Sequence, residues 1–135
     1  MKNFRSFLFF ILVMAVSTTP LWAQYRNRAS DIKNPVANRI HGYARLYAQQ
    51  SIDYNTYMSY LQQLYYQIGP AAYNQSVYDA YQISKRLIAM YSSYLSSPLT
   101  PGWANRRDVE NARTKMQAEK RIMQAIQMAT ALSQN

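Results

Sequence analysis

The 135-residue sequence contains no cysteine and a single histidine. The first absence excludes disulfides, thiol chemistry, zinc–thiolate sites and a lipid-attachment cysteine. The second leaves no His pair or His–Cys pair for a metal, so neither a metal nor a cofactor is expected. Carboxylates are scarce as well, with only six Asp and Glu against fifteen Lys and Arg. General acid–base catalysis needs two groups whose environments push their pKa values apart, and the sequence suggests no such pair. Asp53 reads as a helix cap, Asp108 lies near a helix start, and Glu110 and Glu119 have basic neighbours at helical spacing. His41, beside Gly42 on the polar side of a helical pattern, reads as a solvated histidine. The chain is therefore not read as an enzyme; a hydrolase would require the fold to gather His41 and a carboxylate into one pocket.

Long apolar runs are missing too. The longest, FLFFILVMAV from Phe7 to Val16, is followed by Ser17, Thr18, Thr19 and Pro20, and so falls well short of the roughly 20 apolar residues of a membrane span. With Lys2 and Arg5 before it and Ala23 after it, the run follows secretory-signal grammar. Residues 1–23 are expected to be a signal peptide cleaved between Ala23 and Gln24, giving an exported product, periplasmic or secreted. Residues 24–33 lack apolar periodicity and read as a flexible polar lead-in to a single domain over 34–135.

Positive charge is unevenly spread. The net charge is +9, and the loss of Lys2 and Arg5 would leave +7. From Leu46 to Ser84 no Lys or Arg occurs, yet this stretch holds nine of the thirteen tyrosines. Everything basic lies on the flanks.

Helical periodicity runs through the rest, with no strand pattern and no internal repeat. Val36, Ile40, Tyr43 and Tyr47 alternate steps of four and three, predicting a first helix over 34–50. Asp53 caps a second helix over 53–68, with Ile52 and Tyr57 placed as a hydrophobic staple. Gly69-Pro70 stops one helix and starts the next, as a hairpin or a kink. The third helix, 70–95, carries the seam Tyr73, Val77, Ala80, Ser84, Leu87, Tyr91 and Tyr94. The segment SSPLTPG, Ser96 to Gly102, is a breaker. A fourth helix over 104–132, capped by Thr100 or Asn105, has the stripe Val109, Ala112, Met116, Met123 and Ile126, joined by Ile122, Ala125 and Ala129. The fold class expected is an all-α bundle of about four helices.

The tyrosines divide by helical phase. Tyr54, Tyr57 and Tyr65 share one face with Met58, Leu61, Leu64 and Ile68, and Tyr60 lies at its edge. Tyr66 falls with Asn55, Ser59 and Gln62 on the opposite side, and Tyr78 groups with Gln82 and Lys85. Tyr66, Tyr78 and Lys85 are thus the candidate protein-binding surface. Arg106, Arg113 and Lys120, spaced seven apart on one flank of the last helix, are the candidate anion-binding group, facing an anionic envelope component, a membrane surface or an acidic protein. Nucleic acid is disfavoured, because rings and cations are segregated along the chain. Asn74-Gln75-Ser76 matches a glycosylation sequon early in a helix and reads as a chance match.

Basic, cysteine-free small helical proteins of the Spy/CpxP type are broadly similar in composition, and Leu99-Thr100 resembles the start of their Leu-Thr-x-x-Gln motif, with Trp103 in place of the Gln. That resemblance implies a periplasmic holding chaperone. The leading expectation is an exported, non-catalytic, monomeric or weakly oligomeric binding protein. Membrane action through a detached, basic and amphipathic fourth helix is a third reading.

Overall fold

The computed structural model describes residues 32–97 and 106–133. Four α-helices follow in order: α1 Pro35–Ala48, α2 Tyr54–Ile68, α3 Pro70–Ser96 and α4 Arg106–Met128, the last running into a 3-10 turn, Ala129–Ser133. No strand occurs among the described residues, so the all-α expectation holds, with helix ends shifted by two residues or so. The signal segment with Ala23 and Gln24, the lead-in as far as Asp31, the two caps proposed for the last helix, and Leu99, Thr100 and Trp103 lie outside the described residues. None of the described helices is long and apolar enough to cross a membrane.

Local chemistry sets each boundary. Asn34 caps α1 through its side-chain oxygen, which accepts from the amides of Val36 and Ala37, and Pro35 stands where its missing N–H costs nothing. At the other end Ser51 N–H reaches Leu46 C=O and Gln50 N–H reaches Tyr47 C=O, a Schellman closure. The residue in the left-handed position is Gln50, φ 62°, where glycine would be at ease. Asp53 caps α2 with a 2.8 Å bond from Thr56 N–H. The Thr56 side chain first, and then this amide, hold its carboxyl below the ordinary 3.8. Gly69, with φ 85° and ψ 166°, adopts a conformation open essentially to glycine and is the one residue between α2 and α3.

The core is continuous across α1, α2, the first half of α3 and the second half of α4. Ala37, Ile40, Ala44, Tyr57, Leu61, Leu64, Tyr73, Ala80 and Ile126 are buried in it. On α1 the buried line is Ala37, Ile40, His41 and Ala44, while Val36, Tyr43 and Tyr47 are half-buried. Small alanines let α1 lie close against its neighbours, which turns the helix toward them from the phase that its large residues alone suggest. α1 lies across the α3–α4 pair. Asn34 Nδ2 donates to Ser76 Oγ (3.2 Å) and Asp79 Oδ2 (2.9 Å) on α3, and the other end of α1 borders the Arg121–Met128 part of α4.

Tyrosine side chains knit the helices together. The Tyr47 ring stacks on Tyr57 with centroids 4.9 Å apart, Tyr65 meets Tyr73 edge-on at 5.2 Å, and Tyr43 tilts against Tyr60 at 5.0 Å. The two fully buried rings direct their hydroxyls at carbonyls one turn apart: Tyr57 donates to Ala125 C=O and Tyr73 to Ala129 C=O. Burial, reinforced by neighbouring Tyr73 and Tyr47, raises the pKa of Tyr57 above the ordinary 10.0, and burial alone does so for Tyr73. Tyr54 departs from expectation. It is 48% exposed at the first position of α2, with an edge contact to Tyr47.

Candidate functional site

Three polar side chains from three helices converge in the interior. His41 of α1 is 6% exposed, Glu119 of α4 is 6% exposed, and Ser84 of α3 is fully enclosed. His41 Nε2 lies 2.6 Å from Glu119 Oε1, and Ser84 Oγ donates to the same oxygen at 2.8 Å. Arg45 Nη2 approaches His41 Nδ1 at 3.4 Å, one turn along α1. Since guanidinium can only donate, Nδ1 is the accepting nitrogen, and the ring presents Nε2–H to the carboxylate. No buried side-chain polar atom among the described residues lacks a partner.

This overturns two sequence expectations. His41 is not solvated, and Glu119 does not belong to the exposed charge pattern of its helix; the hydrogen bond between them satisfies a buried donor and a buried acceptor. A signal was present in the sequence. The steps Ala112, Met116, Met123, Ile126 leave a gap that Glu119 fills with the same alternation of four and three, and His41 stands in register with Ala37, Ala44 and Ala48.

The fold therefore does gather His41 and a carboxylate, but within the core. Neither lines any of the three cavities considered below. The order of the bonds also differs from nucleophilic catalysis, in which histidine stands between hydroxyl and carboxylate. Here Glu119 is the centre, and both His41 and Ser84 spend their protons on it.

The surface candidates keep the phases read from sequence. Tyr66 is 74% exposed and Tyr78 is 58% exposed, and Lys85 is exposed one turn beyond Tyr81 on α3. Gln62 Nε2 donates to the Tyr66 hydroxyl at 3.3 Å, and the Tyr65 ring stands edge-on to Tyr66. Tyr78 borders a cavity of about 320 Å³ with Val77 and Tyr81 of α3 and Ile126 of α4. Tyr66 does not line it, so no shared cavity joins the two rings. Ser76 of the sequon is buried and bonded to Asn34.

Arg106, Arg113 and Lys120 are exposed on α4 and line none of the three cavities. Two cations that the sequence reading passed over do so, Lys115 and Arg121. Arg121 borders an open cavity of about 620 Å³ between the end of α1 and α4, together with Tyr47, Ile52, Gln124 and Met128. A third cavity, about 180 Å³, lies between Tyr91 and Tyr94 of α3 and Asn111 and Lys115 of α4. No group of three or more His, Cys, Asp and Glu side chains among the described residues is arranged to hold a metal ion.

Comparison with known proteins adds no template: no family model, curated protein or solved structure matches the chain.

Proposed function

We infer that the protein is an exported, non-catalytic helical binding protein, meeting a protein partner through exposed aromatic side chains and an anionic one through the basic flank of α4. One observation carries this reading. Most described tyrosines are buried or half-buried and serve the packing of the bundle, whereas Tyr66 and Tyr78, on two different helices, are more exposed than any other described tyrosine, Tyr54 included. Exposed tyrosines on rigid helices lose little side-chain entropy on contact, which suits them to partner recognition. The His41–Ser84–Glu119 cluster supports the absence of catalysis, since its hydrogen-bonding capacity is consumed internally and a substrate would have no approach to it.

The test is capture of the native partner by crosslinking in the envelope. Tyr66→Ser combined with Tyr78→Ser should weaken capture while leaving the thermal midpoint nearly unchanged. A large loss of stability would show that these rings belong to the core.

A holding chaperone is the second reading, favoured by the Tyr78 cavity, whose walls of Asn74, Val77, Tyr78, Tyr81, Ile126 and others hold no charged side chain. A surface without charge selectivity accepts unrelated apolar segments. Suppressed aggregation of unrelated unfolded proteins would favour this reading over a specific adaptor.

A further inference from the structure

We propose that the groove between the C-terminal end of α1 and the C-terminal half of α4 docks an acidic peptide segment, with a carboxylate held by Arg121 and adjoining aliphatic side chains resting on Ile52 and Met128. At about 620 Å³ the groove has the size of a binding site rather than a packing defect. One wall is rigid, because Tyr47 is stacked on the buried Tyr57. Its floor is apolar, and its rim carries donors from Arg121, Gln124 and Gln50. That combination recognises an apolar chain bearing an anionic group.

Charge complementarity points the same way. Arg121 makes no hydrogen bond or ion pair among the described residues, and the exposed Arg106, Arg113 and Lys120 continue along the same helix, with Asp108 and Glu110 the exposed acids among them. The one carboxylate on the rim, Asp53, is engaged by the Thr56 amide. A charge-assisted bond from a free guanidinium to an incoming carboxylate is therefore available without breaking an existing one.

Gln50 supplies an independent observation. It occupies the left-handed position at φ 62°, a conformation that disfavours residues other than glycine, and it lines this groove. The Schellman closure of α1 holds it there, which fixes where its side chain leaves the groove wall. The groove is open to solvent, so an extended chain can enter and leave along it. An acyl tail would leave much of its surface wet there.

The inference rests on the protein-binding reading above and is tested separately from it. A fluorescein-labelled peptide alternating leucine and glutamate is titrated with the purified chain, and its anisotropy is followed. Saturable binding is expected, weakened about tenfold or more by Arg121→Gln. Ser51→Trp at the exposed rim should do the same by blocking the groove, and Arg106→Gln, away from it, should change affinity by less than about threefold. Tyr66→Ser with Tyr78→Ser should leave the titration unchanged. Failure of the peptide to bind thus overturns the groove alone, and unaltered partner capture by the double variant overturns the aromatic surface alone. Equal weakening by Arg121→Gln and Arg106→Gln would reduce the effect to diffuse charge and overturn the proposal. So would saturable binding of dodecanoate in place of the peptide, which would make the groove a lipid site.

Discussion

Replacing Glu119 with alanine tests the buried cluster most directly. The substitution removes the oxygen that accepts from both His41 Nε2–H and Ser84 Oγ–H, leaving two buried donors without their acceptor. Each stranded donor costs about 1–3 kcal/mol, so the two together should cost about 2–6 kcal/mol. Against a typical domain stability of about 5–15 kcal/mol this is large. At about 4–8 °C per kcal/mol for a domain of this size, the thermal midpoint should fall by at least about 8 °C. Urea unfolding followed by circular dichroism gives the free energy. Glu119→Gln, which keeps an acceptor oxygen in place, should lose less. His41→Leu, Ser84→Ala and Glu119→Leu together should restore stability to within about 1 kcal/mol of the parent or exceed it, because replacing all the partners of a buried polar cluster by apolar groups leaves none of them unsatisfied. A loss below about 1 kcal/mol for Glu119→Ala would refute the reasoning, since it would mean that water reaches the site and the pair is not buried.

Four further outcomes follow from the same structure. Tyr57→Phe should cost about 1–3 kcal/mol by leaving the Ala125 carbonyl without its side-chain donor, measured by urea unfolding. Because burial raises the folded-state pKa of Tyr57 and Tyr73 above the ordinary 10.0, their contribution is complete below that value and is lost as pH rises beyond it. Tyrosinate absorbance should therefore show two rings that titrate only as the bundle unfolds. Asp53 behaves in the opposite sense: its carboxyl lies below 3.8, so the stability difference between the parent and Asp53→Ala should be complete above that pH and shrink as pH falls through the folded-state value, seen in thermal midpoints across an acid series. Gly42→Ala should stabilise by about 1 kcal/mol, since an added methyl group meets open space in a helical conformation, whereas Gly69→Ala should destabilise through its positive φ; thermal unfolding of the two variants distinguishes them.

Much of the architecture was legible because it rests on short-range chemistry. Asn34-Pro35, Asp53 and Gly69-Pro70 mark helix boundaries through bonds made within a few residues, and those boundaries appear where the sequence places them. The seam of α3 reads directly as Tyr73, Val77, Ala80 and Ser84 in the core. The exposure of Tyr66 and Tyr78 followed from helical phase alone. His41 and Glu119 were misread because a polar residue in a helical pattern is ordinarily assigned to water, and each becomes a core residue only through a partner 78 positions away. Tyr54 was misread for the converse reason: it has the right phase but stands at the first position of its helix, where it stays exposed.

The sequence by itself determined the class of fold, the helix boundaries and the sorting of tyrosines between core and surface, since periodicity and capping are local and repeat at every turn. Only the tertiary structure decided that Glu119 lies between His41 and Ser84, that two tyrosine hydroxyls close on the end of α4, and that Arg121 rather than Arg106, Arg113 or Lys120 borders the largest of the three cavities. Those outcomes depend on how helices far apart in the chain cross and on the rotation each adopts in packing. Small residues such as Ala37 and Ala44 set that rotation by allowing close approach, a property of the assembled interface that no single helix displays.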